Sequence, residues 1–157
     1  MSITPTLVFY DFEVTKYDWM VVLIIPAEDS VQCICNQEYA LEQFYQKHKY
    51  DVWCGYNSRH YDQYILKGIL CGFDPWKVNE HIIFDDKPGW SFSDAFNKVF
   101  LINYDVMTNR DKSLKELEGF QGHNIHESSV SFSIQRRLTE EEAKEMSVYC
   151  RNDVLEA

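Results

Sequence analysis

The run Leu7-Val8-Phe9-Tyr10-Asp11-Phe12-Glu13-Val14 constrains this chain more than any other, because it sets two carboxylates inside what otherwise reads as a buried strand. Strand side chains alternate faces, so Asp11 and Glu13 share one face with Phe9, while Val8, Tyr10, Phe12 and Val14 share the other. A run apolar on both faces is typical of a central strand with helices on each side. An unpaired ionised carboxylate there is expensive, and two on one face require a cation.

The rest of the chain supplies the layers such a strand needs. Its 157 residues, 45% hydrophobic, suffice for one domain over 1–157 with a substantial core, and no composition shift or linker divides them. Lys16-Tyr17-Asp18 predicts a tight turn into a second, antiparallel strand over Trp19 to Ile25, which Pro26 ends. Val31 to Ile34 predicts a short third strand, and Glu38 to His48 a surface helix. Asp51 to Tyr56 then reads as a buried strand that, coming after a helix, pairs parallel to the first. Leu101 to Met107 reads as another buried strand and Ser113 to Leu117 as a short helix. The expected class is α/β: a mixed sheet of three antiparallel strands followed by parallel ones, flanked by helices.

Two more acids fall where apolar residues are expected. Asn57 and Ser58 sit at a strand-to-helix junction suited to capping, and the helix predicted from about His60 to Leu70 carries Asp62, Ile65, Leu66 and Ile69 on one buried stripe. Thr139-Glu140-Glu141-Glu142 is a capping box, and from it Ala143, Met146, Tyr149, Cys150, Asp153 and Val154 form a second stripe. Asp105 reads as structural or as a support behind the acids. Between Gly72 and Phe100 the pattern is less regular: His81 to Phe84 and Trp90 to Phe92 predict a hairpin, with Trp90, Phe92, Phe96 and Phe100 divided between core packing and base stacking.

Four converging carboxylates repel strongly: two like charges ~4 Å apart at an effective dielectric near 20 repel by about 4 kcal/mol. Two divalent ions would neutralise Asp11, Glu13, Asp62 and Asp153. All-oxygen ligation selects hard ions, Mg2+ or Mn2+, and paired ions of that kind serve in-line phosphoryl chemistry. Cys33-x-Cys35 and His123-x-x-His126 lack the partners of a zinc site. The five cysteines, with no secretion signal before them, predict reduced and mostly buried thiols in a cytoplasmic protein. No apolar run approaches the ~18 residues of a membrane span.

Asp11-Phe12-Glu13, Asn57-Ser58-Arg59-His60-Tyr61-Asp62 and Tyr149-Cys150-Arg151-Asn152-Asp153 resemble, in order, the three motifs of the DEDD 3′–5′ exonucleases of ribonuclease H-like fold. The likeness spans nearly the whole chain and is nearest to the N-terminal proofreading exonuclease domain of phage-type DNA polymerases. Tyr149 stands four residues before the last acid, and Val148 stands where the histidine variant has its His, so the tyrosine subtype is implied. The resemblance implies that Asp11, Glu13, Asp62 and Asp153 hold two Mg2+ or Mn2+ ions, that Tyr149 orients the attacking water, and that Asn57, with Phe12 and Tyr61, contacts substrate. The implied substrate is a single-stranded DNA 3′ end and the implied partner a covalently linked polymerase domain, in a bacterial host cell for a phage or prophage gene. The last predicted helix has no termination signal before Ala157, which fits one domain of a longer chain.

A net charge of −10 argues against a general basic surface for nucleic acid, so a substrate strand must be held by the ions and by a few cations such as Arg59, Lys98, Lys112, Lys115, Arg136 and Arg137. Two other readings stay open: a ribonuclease D-like enzyme acting on RNA, supported by the likeness of Ser113 to Leu117 to that pattern, and a non-catalytic binding module that retains the fold. A glycosidase-like carboxylate pair would use only two of the four acids.

Overall fold

In a computed structural model of the chain, residues 5–107, 136–146 and 148 are described. They form an α/β unit around a five-stranded mixed sheet of order β3-β2-β1-β4-β5. The strands are β1 Leu7–Val14, β2 Trp19–Ile25, β3 Ser30–Cys35, β4 Val52–Gly55 and β5 Ile102–Asp105. β1 pairs antiparallel with β2 and parallel with β4; β2–β3 is antiparallel and β4–β5 parallel. The helices α1 Glu38–His48, α2 Asp62–Leu70 and α3 Pro75–Asn79 lie between these strands in sequence. The three antiparallel strands, the helix after them and the parallel return are those the hydrophobic patterning predicts.

β1 is central and strictly two-faced. Val8, Tyr10, Phe12 and Val14 are buried and join the main core, built from Trp19, Val21, Leu23 and Ile25 of β2, Leu41, Phe44 and Tyr45 of α1, and Ile65, Leu66 and Ile69 of α2. Trp53 is its hub: fully buried, it meets the rings of Tyr10 and Phe44 edge-on at 5.2 and 5.6 Å, and its indole N–H donates to the His48 carbonyl at 3.1 Å.

The acid face differs from the expectation of full cover. Phe9, Asp11 and Glu13 are only half-buried. Their cross-strand neighbours Ile24, Val22 and Met20 are buried, and Met20 packs with Met146, Leu138 and Ala143. The helix over 140–146 therefore covers the end of this face next to Glu13. It begins at the predicted capping box: Glu142 N–H donates to Thr139 Oγ1 at 3.1 Å, and Thr139 N–H to Glu142 Oε1 at 2.9 Å. Buried Asp18, in the β1–β2 turn, anchors the approach to this helix by accepting from Leu138 N–H and from the Asn36 amide, each at 2.8 Å.

Three local expectations are overturned. There is no hairpin over His81 to Phe92: Asp74 caps α3 through Trp76 N–H, Pro75 opens it, and the chain winds on through a π-helical turn, Glu80–Phe84, to a 3-10 turn, Gly89–Ser91. Helix initiation at Asp74-Pro75 outweighs the strand preference of Ile82 and Ile83. Asn57 and Ser58 do not cap α2, which starts at Asp62; Ser58 Oγ donates instead to the Gly55 carbonyl at 3.0 Å. Cys33 is exposed because it lies on the edge strand β3; Cys54 is buried, Cys35 and Cys71 are half-buried, and all four are free thiols. The helix predicted at Ser113 to Leu117, the pair His123 and His126, and Tyr149, Cys150 and Asp153 lie outside the described residues.

Gly55 closes the junction between β4 and the loop after it. A Cβ there would stand 2.9 Å from Ser58 Cβ and 3.0 Å from the Tyr10 carbonyl oxygen. Gly55→Ala is expected to destabilise the domain by about 1–3 kcal/mol in urea denaturation.

Candidate functional site

The candidate site lies where β1 and β4 part. Their parallel pairing runs only to Phe9↔Cys54, and β4 ends at Gly55, whereas β1 continues to Val14. Beyond the fork Phe12 N–H has lost its β4 neighbour, and the carboxylate of Asp62 takes the place of a strand carbonyl, accepting that N–H through Oδ1 at 2.9 Å. Crevices at the carboxyl ends of parallel strands are the usual ligand positions of α/β sheets.

The loop across the fork is fixed by Asp105, at the end of β5. Its Oδ1 accepts from Asn57 N–H and Met107 N–H, both at 2.9 Å, and its Oδ2 from Arg59 N–H at 3.0 Å. Asp105 has the structural role that is one of its two sequence readings, and two of its three partners, Asn57 and Arg59, lie more than forty residues away in the chain. Asn57 takes a left-handed backbone, φ 59°, which Asn tolerates well, and its carbonyl accepts from His60 and Tyr61 N–H at 3.2 Å each. Asn103 completes the brace, donating to Ser58 Oγ at 3.1 Å and accepting from Tyr10 Oη at 2.6 Å. Nothing local in the sequence marks Asn103 for this task.

Asp62 is 2% exposed. Burial raises its pKa to about 7, opposed by the hydrogen bonds from Phe12 N–H and from its own N–H, with the Asp105 charge adding to the rise. Tyr61 gathers the other acids. Burial and then the charges of Asp62, Glu13 and Asp11 push its phenol well above the usual tyrosine value, so the three predicted acids within the described residues all act on one hydroxyl. That hydroxyl donates to Asn79 Oδ1 at 2.6 Å, tying α3 to the acid group.

Beside these residues lies a cavity of about 460 Å3, lined by Phe12, Glu13, Val14, Asn57, Tyr61, Trp76, Asn79, Ile83 and Phe84. Its size falls in the ~300–1,000 Å3 range of small-ligand sites. Glu13, Asn57, Phe12 and Tyr61 thus border one cavity. The rest of its lining, Trp76, Asn79, Ile83 and Phe84, comes from a segment that the sequence did not mark for this place. Asp11 and Asp62 are not among its lining residues.

Among the described residues no three His, Cys, Asp or Glu side chains form a group able to hold a metal ion. Tyr149 and Asp153 lie outside those residues. The donors of Asp11, Glu13 and Asp62 are carboxylate oxygens, the kind a hard cation takes. Among the described residues no helix is long and apolar enough to cross a membrane. No protein-family model, curated protein or solved structure matches the chain.

The raised pKa has a definite consequence for stability. An unfolded Asp titrates near ~3.9, so between about pH 4 and pH 7 the folded form holds a proton on Asp62 that the unfolded form releases. Stability contributed by this group is therefore present at low pH and lost as pH rises towards 7. In chelator, Asp62→Asn should exceed the wild type at pH 8 by up to about 4 kcal/mol, at 1.36 kcal/mol per pKa unit, and the gap should close towards pH 4. Paired urea titrations over that range measure it, and a gap independent of pH would contradict the assignment.

Proposed function

We propose that this domain is a two-metal-ion 3′–5′ exonuclease on a ribonuclease H-like fold, releasing nucleoside 5′-monophosphates from single-stranded DNA 3′ ends. The observation that carries the proposal is the buried carboxylate of Asp62 on the N–H of Phe12, between Asp11 and Glu13 in β1, beside a cavity that Glu13, Asn57 and aromatic residues line. The sheet order β3-β2-β1-β4-β5, with three antiparallel strands and a parallel return, is compatible with that fold.

In this reaction a water oxygen attacks the last phosphorus, the P–O3′ bond breaks, and the shortened strand keeps the 3′ oxygen as a hydroxyl. Asp11, Glu13, Asp62 and Asp153 would hold the ions, Mg2+ or Mn2+. When bound, those ions supply an activated water and a countercharge for the leaving oxygen. Trp76 offers apolar surface to the terminal nucleoside and Asn57 an amide to the strand, whereas Phe12, 3% exposed and packed in the core, borders the cavity without surface to stack on. Tyr61, held by Asn79, keeps the Phe12–Asn57 wall in register with the acids. By the period of the sequence, Tyr149 and Asp153 fall on one stripe with Ala143 and Met146, and the motif resemblance assigns Tyr149 to orienting the water. A proofreading role beside a polymerase domain rests on the motif resemblance alone.

With Mn2+, a 5′-labelled single-stranded DNA should shorten in one-nucleotide steps. Asp11→Ala should slow this by at least about 10³-fold, equivalent to roughly 4 kcal/mol of barrier. No ladder, or a ladder unaffected by Asp11→Ala, would end the proposal; equal or faster cleavage of the matched RNA would transfer it to a ribonuclease D-like activity. Tyr149→Phe should lower turnover by about 10²-fold, the lower end of the range for a proton-handling residue, while calorimetric Mn2+ affinity stays at the wild-type value.

A further inference from the structure

Of the four tryptophans, Trp19 and Trp53 are buried in the core and Trp76 is half-buried at the cavity wall, whereas Trp90 is 64% exposed. A single exposed apolar side chain is ordinary. Trp90 differs in being displayed on a braced support. The turn that carries it, Gly89–Ser91, lies so closely against Tyr64 of α2 that a Cβ on Gly89 would overlap the Tyr64 ring. Ser91 Oγ donates to the Pro88 carbonyl at 2.7 Å, and His81 Nε2 lies 2.9 Å from Ser91 Oγ and 3.1 Å from that carbonyl. The Tyr64 ring in turn stacks on buried Phe96 at 6.0 Å.

Trp90 borders a second cavity, of about 550 Å3, with Arg59, His60, Tyr64, Ile82, Asp86, Lys87, Pro88 and Gly89. Arg59 and Lys87 are exposed, and neither is in an ion pair among the described residues. Even with Asp86 present, the lining carries a net positive formal charge, in a chain whose total is −10. No residue lines both cavities, but two segments serve both. The segment 57–61 gives Asn57 and Tyr61 to the first and Arg59 and His60 to the second, and the π-helical turn gives Ile83 and Phe84 to the first and Ile82 to the second. π-helical turns are rare and gather at functional sites.

We propose that this second cavity is a subsite for the single-stranded nucleic acid upstream of its 3′ end, with a base stacked on the Trp90 indole and backbone phosphates on Arg59 and Lys87. It rests on the nuclease assignment for the direction of the strand: the terminal nucleoside lies beside Glu13 and Tyr61, and the chain behind it crosses the 57–61 segment. The chemistry is sequence-tolerant, because every base has a face to stack and every step a phosphate. Such a shelf gives an acidic domain local grip without a basic surface.

The test is binding of oligothymidylates of one to six nucleotides to the whole chain in Ca2+, read by tryptophan fluorescence and by anisotropy of labelled oligomers. Affinity is expected to rise steeply from one nucleotide to four. Trp90→Ala should weaken the tetramer about ten-fold and leave thymidine 5′-monophosphate unaffected; Trp90→Phe should restore most of the loss. Arg59→Gln should reduce the slope of log affinity against log salt by about 0.7, as expected for one phosphate contact on a single strand. If Trp90→Ala and Arg59→Gln bind the tetramer as the wild type does, the subsite is overturned, while the stepwise ladder with Mn2+ would still uphold the nuclease. If tetramer binding depends on Trp90 but Mn2+ produces no cleavage, the nuclease assignment fails and the subsite stands.

Discussion

One hydrogen bond holds the site together, that from Phe12 N–H to the buried carboxylate of Asp62. It exists because β1 outruns β4. A central strand that loses its neighbour leaves backbone groups without ladder partners, and each must find a substitute or lose free energy. An acid at the start of α2 supplies the substitute, and the same bond brings its charge beside Asp11 and Glu13. The geometry of the sheet thereby forces an electrostatic problem at the fork. Gly55, Ser58, Asn103 and Asp105 serve the same junction from the other side, fixing the loop that closes it.

The same junction shows what a sequence can and cannot carry. Elements set by hydrophobic period were legible: the alternation in β1, the β-branched run of β2, the helix Glu38–His48 and the capping box at Thr139, each a pattern complete within a dozen residues. The acids were legible as misfits in those patterns. Long-range polar partners were not, because Asp105 gives no local sign that its carboxylate will bind N–H groups of Asn57 and Arg59 across the chain. The segment 80–91 failed for another reason. Its Ile82 and Ile83 favour a strand in isolation, but the helix started by Asp74 and Pro75 runs on into them, and contacts of His81 and Tyr64 fix the turn at Gly89–Ser91. Part of the lining of the candidate cavity and the support beneath Trp90 were therefore hidden behind a wrong local preference, although Trp90 itself was legible as a base-stacking candidate.

The acid face also links the two ends of the described chain. Asp18, in the turn after β1, is buried and meets Leu138 N–H, the Asn36 amide and, at 3.6 Å, the exposed guanidinium of Arg137. Buried charges are retained where removing one partner would strand the other, and here the partners belong to three separate segments. Met146 then seats on Met20, the cross-strand neighbour of Glu13. The cover of the acid face is thus positioned by the same hairpin that carries Asp11 and Glu13, so the helix over 140–146 cannot shift far along the sheet without breaking a buried polar contact as well as an apolar one.

The electrostatics of the fork explain how an acidic chain can tolerate such a site before any ligand arrives. With a pKa of about 7, Asp62 is substantially protonated near neutrality, so the local charge is smaller than the number of carboxylates implies. On the proposed reading a cation would displace that proton, so its affinity would rise with pH. The incoming phosphodiester would then meet a cavity whose acids are balanced either by protons or by ions. On the proposed reading its more distant charges would fall near Arg59 and Lys87, which line the cavity beside Trp90. Two separate charge problems, one met at the fork and one on the Trp90 shelf, would then let the domain bind an anion while most of its surface repels it.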